Sequence, residues 1–161
     1  MNWSFVIAFF ISSLLTSLAS CDKTAAEPVN PEAENENGNN TSNAKGSQMR
    51  IKIGTSTFTT TLYDNATASA FKARLPFTLA MKELNGNEKF AELPNSLPAN
   101  ASNPGTIQTG DLMLYGSNTL VLFYETFRTS YSYTKIGRVD NPSGLATVLG
   151  AGNITVSFTL E

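Results

Sequence analysis

Residues 104–139 constrain the fold of this chain more than any other stretch. Three runs rich in β-forming side chains lie here, at residues 111–115, 119–125 and 133–139, and short Gly, Ser, Asn and Thr connections separate them. This spacing is typical of neighbouring strands joined by tight turns. The stretch therefore predicts the middle of a β-sheet.

Two of these runs are apolar on both faces. Side chains alternate between the two faces of a strand. Here leucines occupy one face, and the other carries Met113, Tyr115, Val121 and Phe123. One face must fill an interior, and the second must be covered or lie open as a binding surface. We expect a helix to cover it.

The flanking segments predict further strands and two short helices. Strands are expected at residues 49–53, 57–63, 77–81, 89–93 and 153–160, and helices at residues 66–75 and 142–149. Pro76 ends the first helix, and Asn85-Gly86-Asn87 predicts a turn. Many short strands with two short helices favour a mainly β fold, a small closed β-barrel.

The N-terminus predicts an export signal. Residues 3–19 are apolar and uncharged, and Leu18-Ala19-Ser20-Cys21 resembles a bacterial lipobox, in which a peptidase cuts before a cysteine that carries lipid. No Lys or Arg precedes the apolar run, which departs from the usual signal pattern. A short transmembrane anchor and an ordinary secretory cleavage are the alternatives.

The segment after the cysteine differs sharply in composition. Residues 22–48 are rich in Glu, Asn, Gly, Pro and Ser, with Val29 as the only sizeable apolar side chain. Such a segment buries too little surface to offset its ordering entropy. We therefore predict a signal peptide at residues 1–20, a lipidated Cys21 with a disordered tether at residues 21–48, and a barrel domain at residues 49–161. The expected location is a bacterial cell envelope, with the domain membrane-anchored and facing outside the cytoplasm.

Composition excludes several classes of function. The formal net charge is −2, so nothing in it favours a nucleic-acid partner. The chain has no histidine and a single cysteine, which removes Ser-His and Cys-His catalytic arrangements and most metal sites. We expect no metal and no cofactor.

Several motifs in the central stretch resemble those of cyclophilins. Residues 108–112, Gln-Thr-Gly-Asp-Leu, resemble the cyclophilin element Gln-Gly-Gly-Asp-Phe. Residues 116–123, followed by Ile-Gly-Arg-Val at 136–139, resemble the later Gly-Ser-Gln-Phe-Phe-Ile-Cys-Thr and Phe-Gly-Lys-Val elements at the same spacing. The resemblance implies an eight-stranded barrel with a helix at either end and a peptide groove on the outer face of its strands.

A closer resemblance, across the whole domain, is to small bacterial cyclophilin-like domains of uncharacterised role. These domains carry nearly the same runs as residues 84–89, 102–107, 110–118, 130–134 and 137–145.

The resemblance does not extend to the catalytic arginine of cyclophilins. That arginine lies eight residues before the glutamine matched by Gln108, and the position here is Asn100. By the same spacing, the groove Phe, Trp and His of cyclophilins fall on Leu120, Arg128 and Tyr133. Because the arginine stabilises the twisted prolyl amide electrostatically, its loss predicts that canonical isomerase activity is absent. A weak or altered prolyl isomerase is the alternative.

A candidate site is expected on the outer face of the central strands, next to the loop at residues 127–133. Tyrosines, arginine and hydroxyl side chains there could bind a small anionic or aromatic ligand. The walls that we predict are Gln108, Met113, Tyr115, Phe127, Arg128, Tyr131, Tyr133 and Arg138. Ordinary hairpin surface is the alternative for this loop, and an ion pair with Asp140 is expected for Arg138.

These observations predict a lipid-anchored cyclophilin-like domain that binds a small molecule, a peptide or a protein partner. A purely structural interaction module is a further alternative.

Overall fold

The structure, a computed structural model, describes residues 46–161; the predicted signal peptide, Cys21 and most of the predicted tether lie outside them. The elements within these residues are β1 Gln48–Ile53, β2 Ser56–Leu62, α1 Ala66–Lys72, β3 Phe77–Leu84, β4 Glu88–Glu92, β5 Thr106–Ile107, β6 Asp111–Tyr115, β7 Thr119–Phe123, β8 Phe127–Arg128, β9 Thr134–Val139, α2 Leu145–Leu149 and β10 Ile154–Leu160. Strand β1 thus begins one residue before the predicted start of the domain.

Eight of the strands form a closed antiparallel barrel. Their order around it is β1-β10-β3-β4-β7-β6-β9-β2, and the remaining two, β5 and β8, pair with each other in a separate ribbon. The mainly β fold with a closed barrel and two short helices is therefore confirmed. As predicted, the leucines of β6 and β7 point into the interior, where they join Ile51, Met81, Val156 and Phe158.

The two helices cover opposite ends of the barrel. Helix α1 follows the end of β2, and the ring of Phe71 packs edge-on against Phe77 and Phe158, with centroids 5.4 and 6.0 Å away. Helix α2 follows the end of β9 and buries Leu145 and Leu149. Neither helix is long and apolar enough to span a membrane.

Both helices are shorter than the sequence predicts. After Lys72 the backbone tightens, with N–H groups bonding to carbonyls three residues back, because Pro76 prevents the helix from continuing. Helix α2 begins at Leu145 instead of residue 142, since Gly144 has a left-handed φ of 79° that is incompatible with a helix. The predicted turn after β3 is confirmed: Asn85 and Gly86 both have positive φ, at 56° and 69°.

The outer face of the central strands is covered by the β5–β8 ribbon, which corrects the expectation of a covering helix. Ile107 of β5 and Phe127 of β8 pack onto the outward side chains of β6 and β7 and form a second apolar cluster with Met113, Val121, Phe123 and Tyr133. Backbone bonds join this layer to the loop beside it, with Ser102 and Tyr133 exchanging two N–H to carbonyl bonds of 3.0 Å. A short ribbon suffices because the outer apolar patch covers only a few strands.

A fully buried lysine lies inside the barrel near its α2 end. Lys89 Nζ donates to the Glu83 carboxylate and to the carbonyls of Gly150 and Gly152, the latter two at 2.7 Å. The Tyr124 hydroxyl donates to the other Glu83 oxygen at 2.7 Å. Burial acts to raise the pKa of Glu83, but the bonds from Lys89 and Tyr124 outweigh it and lower that pKa. All three ammonium protons of Lys89 are therefore in use, and they connect β3, β4 and the segment after α2.

Replacing this lysine should destabilise the barrel strongly. The change Lys89→Met preserves the volume of the side chain but removes the cation paired with Glu83 and the donor to two carbonyls, so we expect a loss of about 3 kcal/mol in the free energy of unfolding. Urea denaturation measures it. The matched control, Lys82→Met, removes an exposed lysine of the same hairpin and should cost less than about 0.5 kcal/mol. Equal effects of the two changes would contradict a structural role for the network.

Candidate functional site

A cleft of about 360 Å³ lies over the outer faces of β4 and β7, at the edge of the ribbon. The β3–β4 turn, the end of β6, strand β8 and the loop that follows it supply the remaining walls. The residues that line the cleft are Leu84, Asn85, Asn87, Glu88, Phe90, Glu92, Tyr115, Thr119, Val121, Phe127, Tyr131 and Tyr133.

Aromatic rings form one side of the cleft. The Tyr115 ring meets the ring of Tyr131 at 87° with centroids 6.2 Å apart, and the ring of Tyr133 at 52° with centroids 5.6 Å apart. Tyr133 is buried and packs edge-on against Phe123 at 5.4 Å. Tyr131, in contrast, is 62% exposed. Tyr133 therefore stabilises the outer cluster as well as lining the cleft, while Tyr131 contributes only to the wall.

Two carboxylates lie on the floor and rim of the cleft. Residues of β4 alternate between faces, so Glu88, Phe90 and Glu92 point outward while Lys89 and Ala91 point inward. Glu88 is only 9% exposed, and within residues 46–161 its carboxylate forms no hydrogen bond or ion pair. Burial, followed by the nearby charge of Glu83, raises the pKa of Glu88.

The structure brings four of the eight predicted site residues together in this cleft. Tyr115, Phe127, Tyr131 and Tyr133 line it. Met113 lies on the same outer face but is buried beneath the ribbon, because it packs in the second apolar cluster.

The two arginines and Gln108 do not line this cleft, so the predicted walls and the cleft coincide only in part. Arg128 follows the inward-packed Phe127 in β8, so its side chain points to the opposite side of the ribbon. Arg138 lies on β9, across β6 from the cleft, with its Nε 3.8 Å from the Asp111 carboxylate.

Asp111 explains the positions of both Gln108 and Arg138. One of its carboxylate oxygens accepts the backbone N–H of Gln108 at 2.8 Å, and the other faces Arg138. The predicted Arg138–Asp140 pair is therefore wrong. Asp140 accepts instead from the Thr61 hydroxyl at 2.6 Å, on the neighbouring strand.

The sequence interpretation missed the contribution of β4. A strand was expected at residues 89–93, one residue late, so the alternation that carries Glu88 and Glu92 outward was not used. The signal that could have found them was the Asn85-Gly86-Asn87 turn, which sets the first residue of the returning strand. Among residues 46–161, no group of His, Cys, Asp and Glu side chains is arranged to hold a metal ion.

The comparison with known families agrees with this architecture. The sequence matches the Cyclophilin-like family over residues 51–159, which includes nearly the whole barrel. The chain belongs to the cyclophilin-like family. No curated protein matches the sequence significantly.

A solved structure shows the same fold. The chain is similar to the solution structure of a hypothetical protein from Archaeoglobus fulgidus, with 18% identity, a TM-score of 0.50, and coverage of 73% of this chain and 96% of that one. At this identity the likeness concerns the fold alone.

Two residues that match cyclophilin groove positions by sequence spacing, Asn100 and Leu120, do not line the cleft of this cyclophilin-like domain. Leu120 is fully buried in the barrel interior, and the outward residue beside it is Val121. Asn100, at the position of the cyclophilin arginine, is exposed and donates its backbone N–H to the Thr134 hydroxyl at 3.0 Å. Leu120 therefore lines no outer groove, because its side chain points to the inner face of the strand.

Removing the charge of Glu88 should stabilise the protein at neutral pH. A raised pKa means that the folded state prefers the protonated carboxyl, so ionisation above that pKa costs stability. We expect Glu88→Gln to increase the free energy of unfolding at pH 7 by about 0.5–2 kcal/mol. The gain should vanish below about pH 4, where the carboxyl is protonated in both states.

Urea denaturation at several pH values tests this expectation. The control variant is Glu125→Gln, which removes an exposed carboxylate outside the cleft and should change stability little at any pH. A loss of stability in Glu88→Gln at pH 7 would show that the native carboxylate has a stabilising partner.

Proposed function

We propose that this cyclophilin-like domain is a binding module. Its ligand, a small molecule or a short segment of a peptide or protein partner, occupies the outer cleft over β4 and β7. The observation that carries the proposal is the lining of that cleft: aromatic rings beside an ionisable side chain that is buried without a partner. Concave aromatic surfaces with a few convergent polar groups are typical of ligand sites.

The cleft chemistry also supports binding without canonical prolyl isomerisation. Its described lining contains two carboxylates and no Lys or Arg. A cationic donor aimed at the amide is what stabilises the twisted transition state electrostatically. Carboxylates at the same place would oppose the partial negative charge on the prolyl carbonyl oxygen.

We further propose that the domain is a bacterial lipoprotein held at a membrane by a lipid on Cys21. The lipobox-like sequence before Cys21 and the polar segment after it support this part of the proposal. The segment from residue 22 to the start of β1 would then act as a flexible spacer that holds the cleft away from the bilayer and outside the cytoplasm.

Ligand capture combined with an isomerase assay tests the function. We expect the purified full chain to give no acceleration of cis–trans exchange in a standard proline tetrapeptide, and native mass spectrometry to detect a co-purifying ligand that is lost in Tyr131→Leu. The control Arg128→Gln, on the other side of the ribbon, should retain the ligand. If the wild type shows isomerase activity and Tyr131→Leu loses it, the cleft is a catalytic site and the proposal is wrong.

The lipid anchor makes a separate prediction. Intact-mass analysis of the membrane-purified protein should show a chain that begins at Cys21 and carries added acyl mass. The variant Cys21→Ala should accumulate as an uncleaved precursor, because the group to be acylated is missing. A wild-type protein without acyl mass would refute the anchor and leave the short transmembrane span or ordinary cleavage.

A further inference from the structure

The charges around the cleft are of one sign. Glu88 and Glu92 both line it, Glu83 lies close enough to Glu88 to raise its pKa further, and no Lys or Arg belongs to the described lining. The sequence prediction of an anionic ligand assumed that Arg128 and Arg138 would be wall residues. With both arginines elsewhere, an anion would meet repulsion in this cleft.

Glu88 is the group that most needs a partner. Its carboxylate belongs to a residue that is only 9% exposed, and within residues 46–161 it has no hydrogen bond or ion pair. The neighbouring Lys89 cannot neutralise it, since that side chain points into the barrel and its three protons are bound to Glu83, Gly150 and Gly152. Most of the side chain is buried, while the carboxylate oxygens stay accessible from the cleft, where a bound cation would offset the partial loss of hydration.

A buried acceptor next to Glu88 in the chain also lacks a donor. The side-chain oxygen of Asn87 is buried and has no hydrogen-bond partner within the described residues. Asn87 and Glu88 are consecutive and both line the cleft. This oxygen is closed to solvent, so it adds to the negative potential beside Glu88 without itself being open to a ligand.

The opposite wall suits the apolar part of such a ligand. Tyr115, Tyr131 and Tyr133 meet at steep angles with centroid separations of 5.6 and 6.2 Å. Tyrosine faces attract cations and pack against the carbon atoms next to them. The cleft thus combines an electron-rich aromatic wall with an unpaired carboxylate.

From this arrangement we propose that the cleft binds an organic cation with N–H donors, a primary ammonium or guanidinium group on an apolar carbon chain. Its charge lies at Glu88 and its carbon chain lies against the tyrosine rings. The inference rests on the proposed function, because it names the ligand class of the same cleft. A free amine and a Lys or Arg side chain of a peptide share this chemistry.

Isothermal titration of the full chain in a nonionic detergent tests the inference with four probes on one carbon frame. These are phenethylammonium, the neutral phenethyl alcohol, the anionic 3-phenylpropanoate, and phenethyltrimethylammonium, which has the charge but no N–H. We expect phenethylammonium to bind at least tenfold more tightly than the alcohol and more tightly than the trimethylated cation. The carboxylate should give no measurable binding.

Three variants assign the binding to the cleft. Glu88→Gln should weaken phenethylammonium binding at least tenfold while the protein stays as stable as the wild type or becomes more so. Tyr131→Leu, at an exposed position, should weaken it severalfold. Glu125→Gln removes the same charge outside the cleft and should leave the affinity unchanged.

The outcomes separate this inference from the function on which it rests. Equal affinities for the alcohol and the ammonium, or a higher affinity for the carboxylate, would contradict the proposal of a cationic ligand. A weaker affinity in Tyr131→Leu would in that case still identify the cleft as a binding site. If no probe binds, the proposal of a cationic ligand is also wrong. The proposed binding function itself would be wrong only if, in addition, no ligand co-purifies with the protein. If the cation binds, the N-acetylated and C-amidated peptide Gly-Gly-Lys-Gly-Gly, whose one ammonium is on the lysine, distinguishes the two sources: tighter binding than phenethylammonium indicates a lysine of a partner, and weaker binding indicates a free amine.

Discussion

Strands β6 and β7 are apolar on both faces, and burying the second face requires a layer outside the barrel. The leucines fill the interior, as in any small barrel. The outward Met113, Val121 and Phe123 would otherwise form an exposed apolar patch. The β5–β8 ribbon covers them, and because it covers only part of the outer surface, its edge creates a step beside β4. The cleft lies at that step.

Two adjacent residues of β4 carry opposite charges and lie in very different environments. Lys89 is buried inside the barrel with every donor used, and it connects three segments of the chain. Glu88, one residue earlier, points outward, is 9% exposed and has no partner within the described residues. Fully satisfied buried charges are typical of scaffolding, whereas an unpaired carboxyl with a raised pKa at a cleft is typical of surfaces that are not optimised for stability.

The sequence predicted the barrel well because its signals are local: alternation, turn residues and prolines act within a few positions. Because only local signals were available, the sequence predicted poorly which element covers the outer face of the barrel and which charges line the cleft. Strands β5 and β8 have two residues each, too few to show a period, so neither the ribbon nor the outward direction of Arg128 was predictable. Phe127, Tyr131 and Tyr133 were found because aromatic residues are conspicuous in a polar loop, and Tyr115 was found from the alternation of β6. Glu88 was missed because the predicted strand began at residue 89, so no face was assigned to residue 88.

Alternation along β4 also has a consequence for how such domains can diverge. Its even-numbered positions face the cleft, and its odd-numbered positions face the interior. Substitutions at 88, 90 and 92 can therefore change the shape and charge of the cleft without disturbing the packing and ion pairing that depend on 89 and 91. One strand keeps the cleft surface and the interior in separate sets of positions. A barrel built in this way can change its outer surface chemistry one even position at a time, which is a physical reason why a shared fold need not imply a shared function.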